Sequence, residues 1–449
     1  MLKLMRNMMA SWKVLLDGEA HSYICWQFIE NLEQTQRAEG LRAANKLRSS
    51  HIHWEKQKMK VSLAAQTISN SVATSLEFMR DMGYQQFQNC EATVNFLRII
   101  DRLFDVCNVK NPFAKGFKAP LTLHNRHLWQ PFMERASSYL INLRDKDGVP
   151  LMYSRRKTAV IGFLVNIRSI IGMFSSLCDG PSPRLRYLLT YKCSQDHIEL
   201  FFGAIRGRSG HNNNPSVTQF RREYRQLLKC HISPSSNTNA TSQDETQVLT
   251  SALAQVSYSA IAVQPWVPDT PTERPSVPDT LTEFNCNVVA YIAGYVIRKL
   301  LGVMKCVKCM EALVQHPTIR PPDPDPHLIH LRDNGGLIYP SKDVLAVCKA
   351  AERVFRMHNS NRPSSAPHLL STMEYRTVQE MVGSGVFLSS EHAGDTPVGE
   401  AGHGIALMRQ VARFYLRIRA HDLGKTATEE LQGNKVRRLY SKLVLFKGQ

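Results

Sequence analysis

Asp196 and Glu199 are the acidic residues best placed to do chemistry, three apart in SQDHIELFFGAIRGRSGHNNNP, Ser194 to Pro215. Ser194 reads as an N-cap, and Leu200, Phe201 and Ile205 as the apolar stripe of the helix that follows, so both carboxylates project from nearly one face. Two carboxylates held close repel unless a proton or a cation lies between them. Such a pair suits a hard metal ion, and a solvated helix surface is the other reading. Arg206 and Arg208 then precede three asparagines, which supplies phosphate-contacting donors and turn chemistry. Cys306 and Cys309 form a C-x-x-C with His316, His327 and His330 downstream; this leaves open a tetrahedral Zn²⁺ or reduced cysteines at a helix end. Arg409, Arg413, Arg417 and Arg419 line a helix opposite Leu407, Val411, Phe414, Leu416 and Ile418, so one side packs and the other is open to a DNA backbone. Ser154–Lys157, SRRK, fits a nuclear import signal, a phosphate contact or a solvated turn.

The elements that must position these groups are mostly helical. Met59, Leu63, Ala64, Ile68 and Val72 recur at three- or four-residue steps within Ile52–Phe78, as do Phe96, Ile99, Leu103 and Val106. Asn111–Pro131 reads as loop, with a helix resuming at Phe132–Leu143. Val160–Leu164 and Tyr187–Tyr191 are consistent with strands or buried helix pieces. At 449 residues the chain has room for about three domains. Its 56 Lys+Arg against 38 Asp+Glu, a net +18, point to a polyanionic partner. The excess sits in the first half: residues 1–233 hold 33 basic and 18 acidic side chains. Ten irregularly spaced cysteines indicate reduced thiols rather than a disulfide scaffold. Neither the Thr246–Pro268 stretch, rich in Gln, Ser and Thr, nor the Lys- and Arg-interrupted N-terminus reads as a membrane span or signal peptide. Pro234–Glu283, with VPDTPTE nearly repeated as VPDTLTE, is expected to be a flexible linker. Weaker breaks fall at His316–Pro326 and Gly383–Gly404.

The Ser194–Pro215 stretch, with YLLTYKC before it, resembles the segment of P element and THAP-domain transposases in which QDxxExFFGxxR closes an RNase H-like catalytic domain. Further resemblance lies in MLKLMRN (Met1–Asn7), LRAANKLRSSHIHWEKQKMKVSLAAQTISNSVA (Leu41–Ala73), FLRIIDRLFDVCN (Phe96–Asn108), SRRKTAVIGFLVN (Ser154–Asn166) and YIAGYVIRKL (Tyr291–Leu300). The resemblance implies a mainly α chain with an α/β remnant: a helical GTP-binding insertion domain at 1–150, the C-terminal part of an RNase H-like domain at 151–233, a disordered linker at 234–284 and a helical region at 285–449. It implies that Glu199 matches a catalytic carboxylate and Asp196 an acid that helps hold Mg²⁺, in a two-metal phosphoryl transfer. It also implies that Lys46, Lys60 and Val61 contact GTP and that Asp101 and Asp105, four apart on one helical face, read the guanine edge. Solvated helix lysines are the other reading of Lys46 and Lys60.

The chain departs from the family in three ways. Asp101 stands where the family often has Asn. The first two catalytic aspartates would fall before Met1. No THAP-type cysteine spacing occurs, so the sequence resembles the back portion of a transposase: a truncated element, an incomplete gene model or a domesticated remnant. Expected partners are DNA, GTP and further copies of the chain, in the nucleus and without a membrane. The parent activity would be DNA cleavage and strand transfer; a non-catalytic DNA-binding repressor and a GTP-binding scaffold are the alternatives.

Overall fold

The structure, a computed structural model, describes residues 1–180, 183–208, 214–229, 281–304, 306–315, 326–360, 369–387 and 403–432. Most of the expected linker, His316 and the 388–402 stretch lie outside these residues. The chain divides into two compact units, Met1–Asp244 and Glu245–Gln449. Both are mainly helical, and the described strands form one small antiparallel sheet in the first unit.

The first unit begins with α1 (Leu2–Trp12), β1 (Val14–Asp17), β2 (Ser22–Cys25) and α2 (Gln27–Glu39). It continues through α3 (Ser49–Ile52), α4 (Val61–Thr67), α5 (Asn70–Asp81), α6 (Glu91–Cys107) and α7 (Arg126–Asn142). β3 (Arg144–Asp145), α8 (Thr158–Leu177), α9 (Asp196–Arg208) and α10 (Val217–Lys229) follow. The sheet has the order β2-β1-β3, with Leu15 paired to Ile24 on one side and Asp145 on the other. The β1–β2 turn lies against the end of α7. A Cβ on Gly18 would come within 2.1 Å of the Asn142 carbonyl oxygen, so only glycine fits there.

The periodicity in Ile52–Phe78 is real, but the structure breaks it into a 3₁₀ turn at Trp54–Gln57, α4 and α5. Ser69 ends the first register by capping α5, its Oγ accepting from Val72 N–H at 3.3 Å. Val160–Leu164 resolves as helix within α8, while Leu188 forms a single bridge to Leu121. α7 starts at Arg126 and contains Pro131, so the helix begins earlier than its pattern suggests. α8 is long and apolar enough to cross a membrane by length and composition, with mean hydropathy 1.7. It packs against α1 and α7, burying Val160, Phe163, Ile167, Ile170 and Phe174, while Ile161 and Val165 are exposed.

The second unit comprises α11 (Glu283–Leu301), α12 (Val307–Leu313), α13 (His327–Arg332), α14 (Lys342–Ser360), α15 (Leu369–Met381) and α16 (His403–Gln432). α11, α14, α15 and α16 form its packed body. The Thr282 side chain caps α11, and Gly294 lets that helix approach the Ile338 carbonyl, 2.5 Å from where a Cβ would stand. Two buried carboxylates bind this unit together. Glu352, fully buried, accepts from Arg419 Nε at 2.7 Å, Arg356 Nε at 2.9 Å and Tyr415 Oη at 2.9 Å. Glu374 accepts from Arg409 Nε at 3.2 Å and Arg413 Nε at 3.0 Å. Three of the four arginines open to DNA on sequence grounds are therefore engaged with carboxylates of their own unit.

Candidate functional site

Asp101 and Asp105 lie one turn apart on α6 and project from one face. Asp101 Oδ2 accepts from the backbone N–H of Asn70 at 3.0 Å, which ties α6 to the first residue of α5. Burial pushes the Asp101 carboxyl above its ordinary value, opposed by that hydrogen bond and by Lys118. Lys118 Nζ also lies 3.9 Å from Asp105 Oδ1. Lys118 belongs to the Gly116–Lys118 turn, where Phe117 rests on Phe132 and under the Arg102 guanidinium. Sequence reasoning missed Lys118, because an irregular turn carries no periodic signal.

Lys60 is the N-cap residue of α4, and Val61 opens that helix. α4 runs from this pair to Thr67, three residues short of the Asn70 N–H that Asp101 holds. Seven residues at 1.5 Å each make α4 about 10 Å long. Lys60 thus opens α4, and the Asn70 N–H that Asp101 holds lies just beyond that helix's other end. Lys46 is exposed between α2 and α3, and among the described residues no hydrogen bond or ion pair joins it to the two aspartates. His51 links that region to α4, its Nε2 lying 2.9 Å from Gln66 Oε1.

The far end of α6 anchors the approach to the acidic pair. Thr190 Oγ1 donates to the Val106 carbonyl at 2.6 Å and accepts from Val109 N–H at 3.0 Å. Asp196 and Glu199 occupy the first turn of α9, and Glu199 Oε1 accepts from Gln195 Nε2 at 2.8 Å. Tyr191 stands beside them, its ring 4.7 Å from that of His197, and burial followed by the Asp196 charge raises its phenol. Among the described residues no three His, Cys, Asp or Glu side chains gather as a metal site. Two carboxylates from one helix do not match the several oxygen ligands that Mg²⁺ requires, so the residues described do not fit a complete catalytic metal site.

α9 pairs with α10 around Ala204, Ile205 and Leu227. Phe220 and Tyr224 stack within 9° of parallel, and Phe201 and Phe202 meet them edge-on or tilted. Arg208, Arg221, Arg222 and Arg225 are exposed on this hairpin, and Arg206 is half-buried with its Nε on the Phe202 carbonyl at 3.2 Å. In the second unit Cys306 N-caps α12 and Cys309 is buried within it. Hydrogen bonding from the Cys309 backbone lowers the Cys306 thiol, while burial beside it pushes Cys309 up to about 11. His330 sits instead on Tyr339 Oη at 3.1 Å.

Three segments match described families. Residues 1–120 match the TNP-like GTP-binding insertion domain, 191–225 the TNP-like RNase H C-terminal domain, and 280–425 the C-terminal domain of DNA transposase THAP9. The chain is homologous to the P element and THAP-domain transposases. It is 26% identical to the DNA transposase THAP9 of Homo sapiens over 450 residues, 95% of this chain and 48% of that protein. It is 24% identical to the Transposable element P transposase of Drosophila melanogaster over 324 residues, 70% of this chain and 40% of that one. The chain therefore spans about half, or less, of the curated relatives it matches. A Drosophila P element transposase strand transfer complex shares 25% identity at a TM-score of 0.44, covering 51% of this chain and 49% of the other.

Proposed function

We propose that this chain is a guanine-nucleotide-binding and DNA-binding portion of a P element-like transposase. The observation that carries the nucleotide reading is the α4 bridge: Lys60 and Val61 at one end and, through Asn70, Asp101 at the other, inside the segment that matches a GTP-binding insertion domain. The residues fit such a ligand. Lys60, with Lys46, supplies charge for the phosphates; Asp105 and Asp101 supply acceptors for the base. A carboxylate accepts both the ring N–H and the exocyclic amine of guanine, and adenine offers no such pair. When bound, the nucleotide would contribute its phosphate charge to whatever polyanion chemistry the assembly performs. Calorimetric titration with GTP, GDP and ATP tests this: GTP should bind and ATP should not. Equal binding of both, or of neither, refutes it.

DNA is the second ligand in this reading. The exposed arginines of the α9–α10 hairpin, with Arg206 and Arg208 in the last turn of the helix whose first turn carries the acidic pair, support contacts to a phosphate backbone. Glu199 as a catalytic carboxylate and Asp196 as its Mg²⁺-holding neighbour remain proposals for an assembly in which other oxygen ligands complete the site. Within this chain we derive no step through the metal. A non-catalytic DNA-binding repressor is the alternative that the same hairpin supports, and a GTP-binding scaffold the alternative that its positive charge opposes. The domain boundaries at 150, 233 and 284, a nuclear location, assembly with further copies and operation away from a membrane belong to the same proposal. For Cys306 and Cys309 we favour a reduced pair, since Cys309 is buried and His330 is turned to Tyr339.

A further inference from the structure

Arg6 is the unexplained charge of the first unit. α1 puts it on the same face as Leu2, Met5 and Met9, and its side chain is wholly buried. It lies 5.3 Å from the centre of the Trp54 ring, and no carboxylate forms an ion pair with it among the described residues. Burying a guanidinium without a paired carboxylate costs several kcal/mol on general grounds, and that burial, opposed by the charge of Glu55, draws Arg6 down to about 10, where it is still cationic at neutral pH.

The hydrogen bonds of this guanidinium all lead toward Lys60. Arg6 Nη2 donates to the Gln57 carbonyl at 3.3 Å, and the same carbonyl accepts the backbone N–H of Lys60 at 3.1 Å. Arg6 Nε donates to Asn7 Oδ1 at 2.7 Å, and Asn7 Nδ2 donates to the Lys58 carbonyl at 3.2 Å. Trp54 sits beneath both Arg6 and Lys58. Two consecutive carbonyls of the turn that delivers Lys60 are thus held from α1. Arg6 Nη1 is buried and makes no hydrogen bond among the described residues, so the guanidinium's hold on the turn runs through Nη2 and, by way of Asn7, Nε.

We propose that Arg6 is the positioning residue for the phosphate end of the nucleotide site, fixing the Gln57–Lys60 turn so that Lys60 meets the phosphates. This rests on the nucleotide reading above. Arg6 acts through the turn and not on the base. Loss of its hold therefore costs affinity that depends on phosphate and leaves affinity for the nucleoside unchanged.

The test is a binding cycle on the full chain with GTP and guanosine as titrants, using R6K, R6Q, K60A and R6Q with K60A. Lysine keeps the charge but cannot hold Gln57 and Asn7 together in the guanidinium geometry. R6K and R6Q are each expected to weaken GTP about tenfold or more, the size of a charge-assisted hydrogen bond, with guanosine unchanged. R6Q is expected to add nothing in the K60A background. GTP affinity retained in R6K, equal losses for GTP and guanosine, or additive losses in the double variant would overturn the proposal while leaving nucleotide binding intact. No GTP binding by the wild type would instead overturn the nucleotide reading, and this inference with it. If R6Q fails to fold, R6K supplies the same comparison.

Discussion

Lowering the pH from about 6.5 to about 4 is expected to destabilise the first unit through one side chain, His51. The ring is 2% exposed; Nδ1 accepts from Arg48 N–H at 3.1 Å, and Nε2 faces Gln66 Oε1 at 2.9 Å. This arrangement uses the neutral ring with its proton on Nε2, a tautomer assigned from the hydrogen bonds. Burial, resisted by the contacts of the ring with Gln66 Oε1 and the Arg48 carbonyl and seconded by the charges of Arg6 and Arg48, lowers His51 from 6.5 to about 4. Below pH 6.5 the unfolded chain takes up a proton that the folded chain refuses until about pH 4. The unfolded state therefore binds more protons throughout that window, and stability falls as pH falls.

The two values differ by about 2.5 units, worth about 3 kcal/mol when the window has been crossed and about 2 kcal/mol at pH 5. Urea unfolding followed by tryptophan fluorescence reads this unit well, since Trp12, Trp26, Trp54 and Trp129 all lie in it. His51→Gln removes the titration and costs about 1 kcal/mol at pH 7.5 through its weaker hydrogen bonding. The variant should be the less stable protein at pH 7.5 and the more stable one below about pH 6. Parallel stability profiles for the two proteins, or a His51 pKa near 6.5 by NMR, would refute the reasoning.

Glu352→Gln should lower the melting temperature of the second unit sharply, because Arg419 is left buried without its counter-charge; breaking such a pair costs about 3–5 kcal/mol. Glu352→Leu combined with Arg419→Met should cost less than Glu352→Leu alone, and equal or greater loss would count against the buried-pair account. Asp105→Ala should weaken GTP more than Lys60→Ala and raise the relative affinity for ATP; calorimetry that finds the reverse order would remove Asp105 from base recognition. The chain should bind duplex DNA with little sequence preference, with affinity falling as salt rises and weakened by Arg206→Ala with Arg208→Ala; salt-insensitive binding in a gel-shift series would contradict this. With Mg²⁺ or Mn²⁺ the chain alone should neither nick nor join DNA, and cleavage that disappears in Glu199→Gln would overturn that expectation.

Local pattern and covalent spacing were enough to read several features from sequence. The apolar periods of α4, α5 and α6, the helix that carries Asp196 and Glu199, the basic first half and the resemblance to P element-like transposases all depend on residues near one another in the chain. Arg6 could also have been noticed there, since an arginine at helical spacing among Leu2, Met5 and Met9 conflicts with its apolar face. What the tertiary structure alone decided involves partners distant in sequence. Asp101 meets Asn70, Lys118 meets Asp105, and Arg6 meets Gln57, each through a loop whose path no periodicity encodes. The arginine stripe of α16 shows the same limit: its spacing fits a DNA-facing helix, yet Glu352 and Glu374, contributed by α14 and α15, claim Arg409, Arg413 and Arg419. A helical period reports which side chains share a face, whereas the free energy of burying a charge depends on whether a counter-charge from elsewhere in the chain arrives beside it.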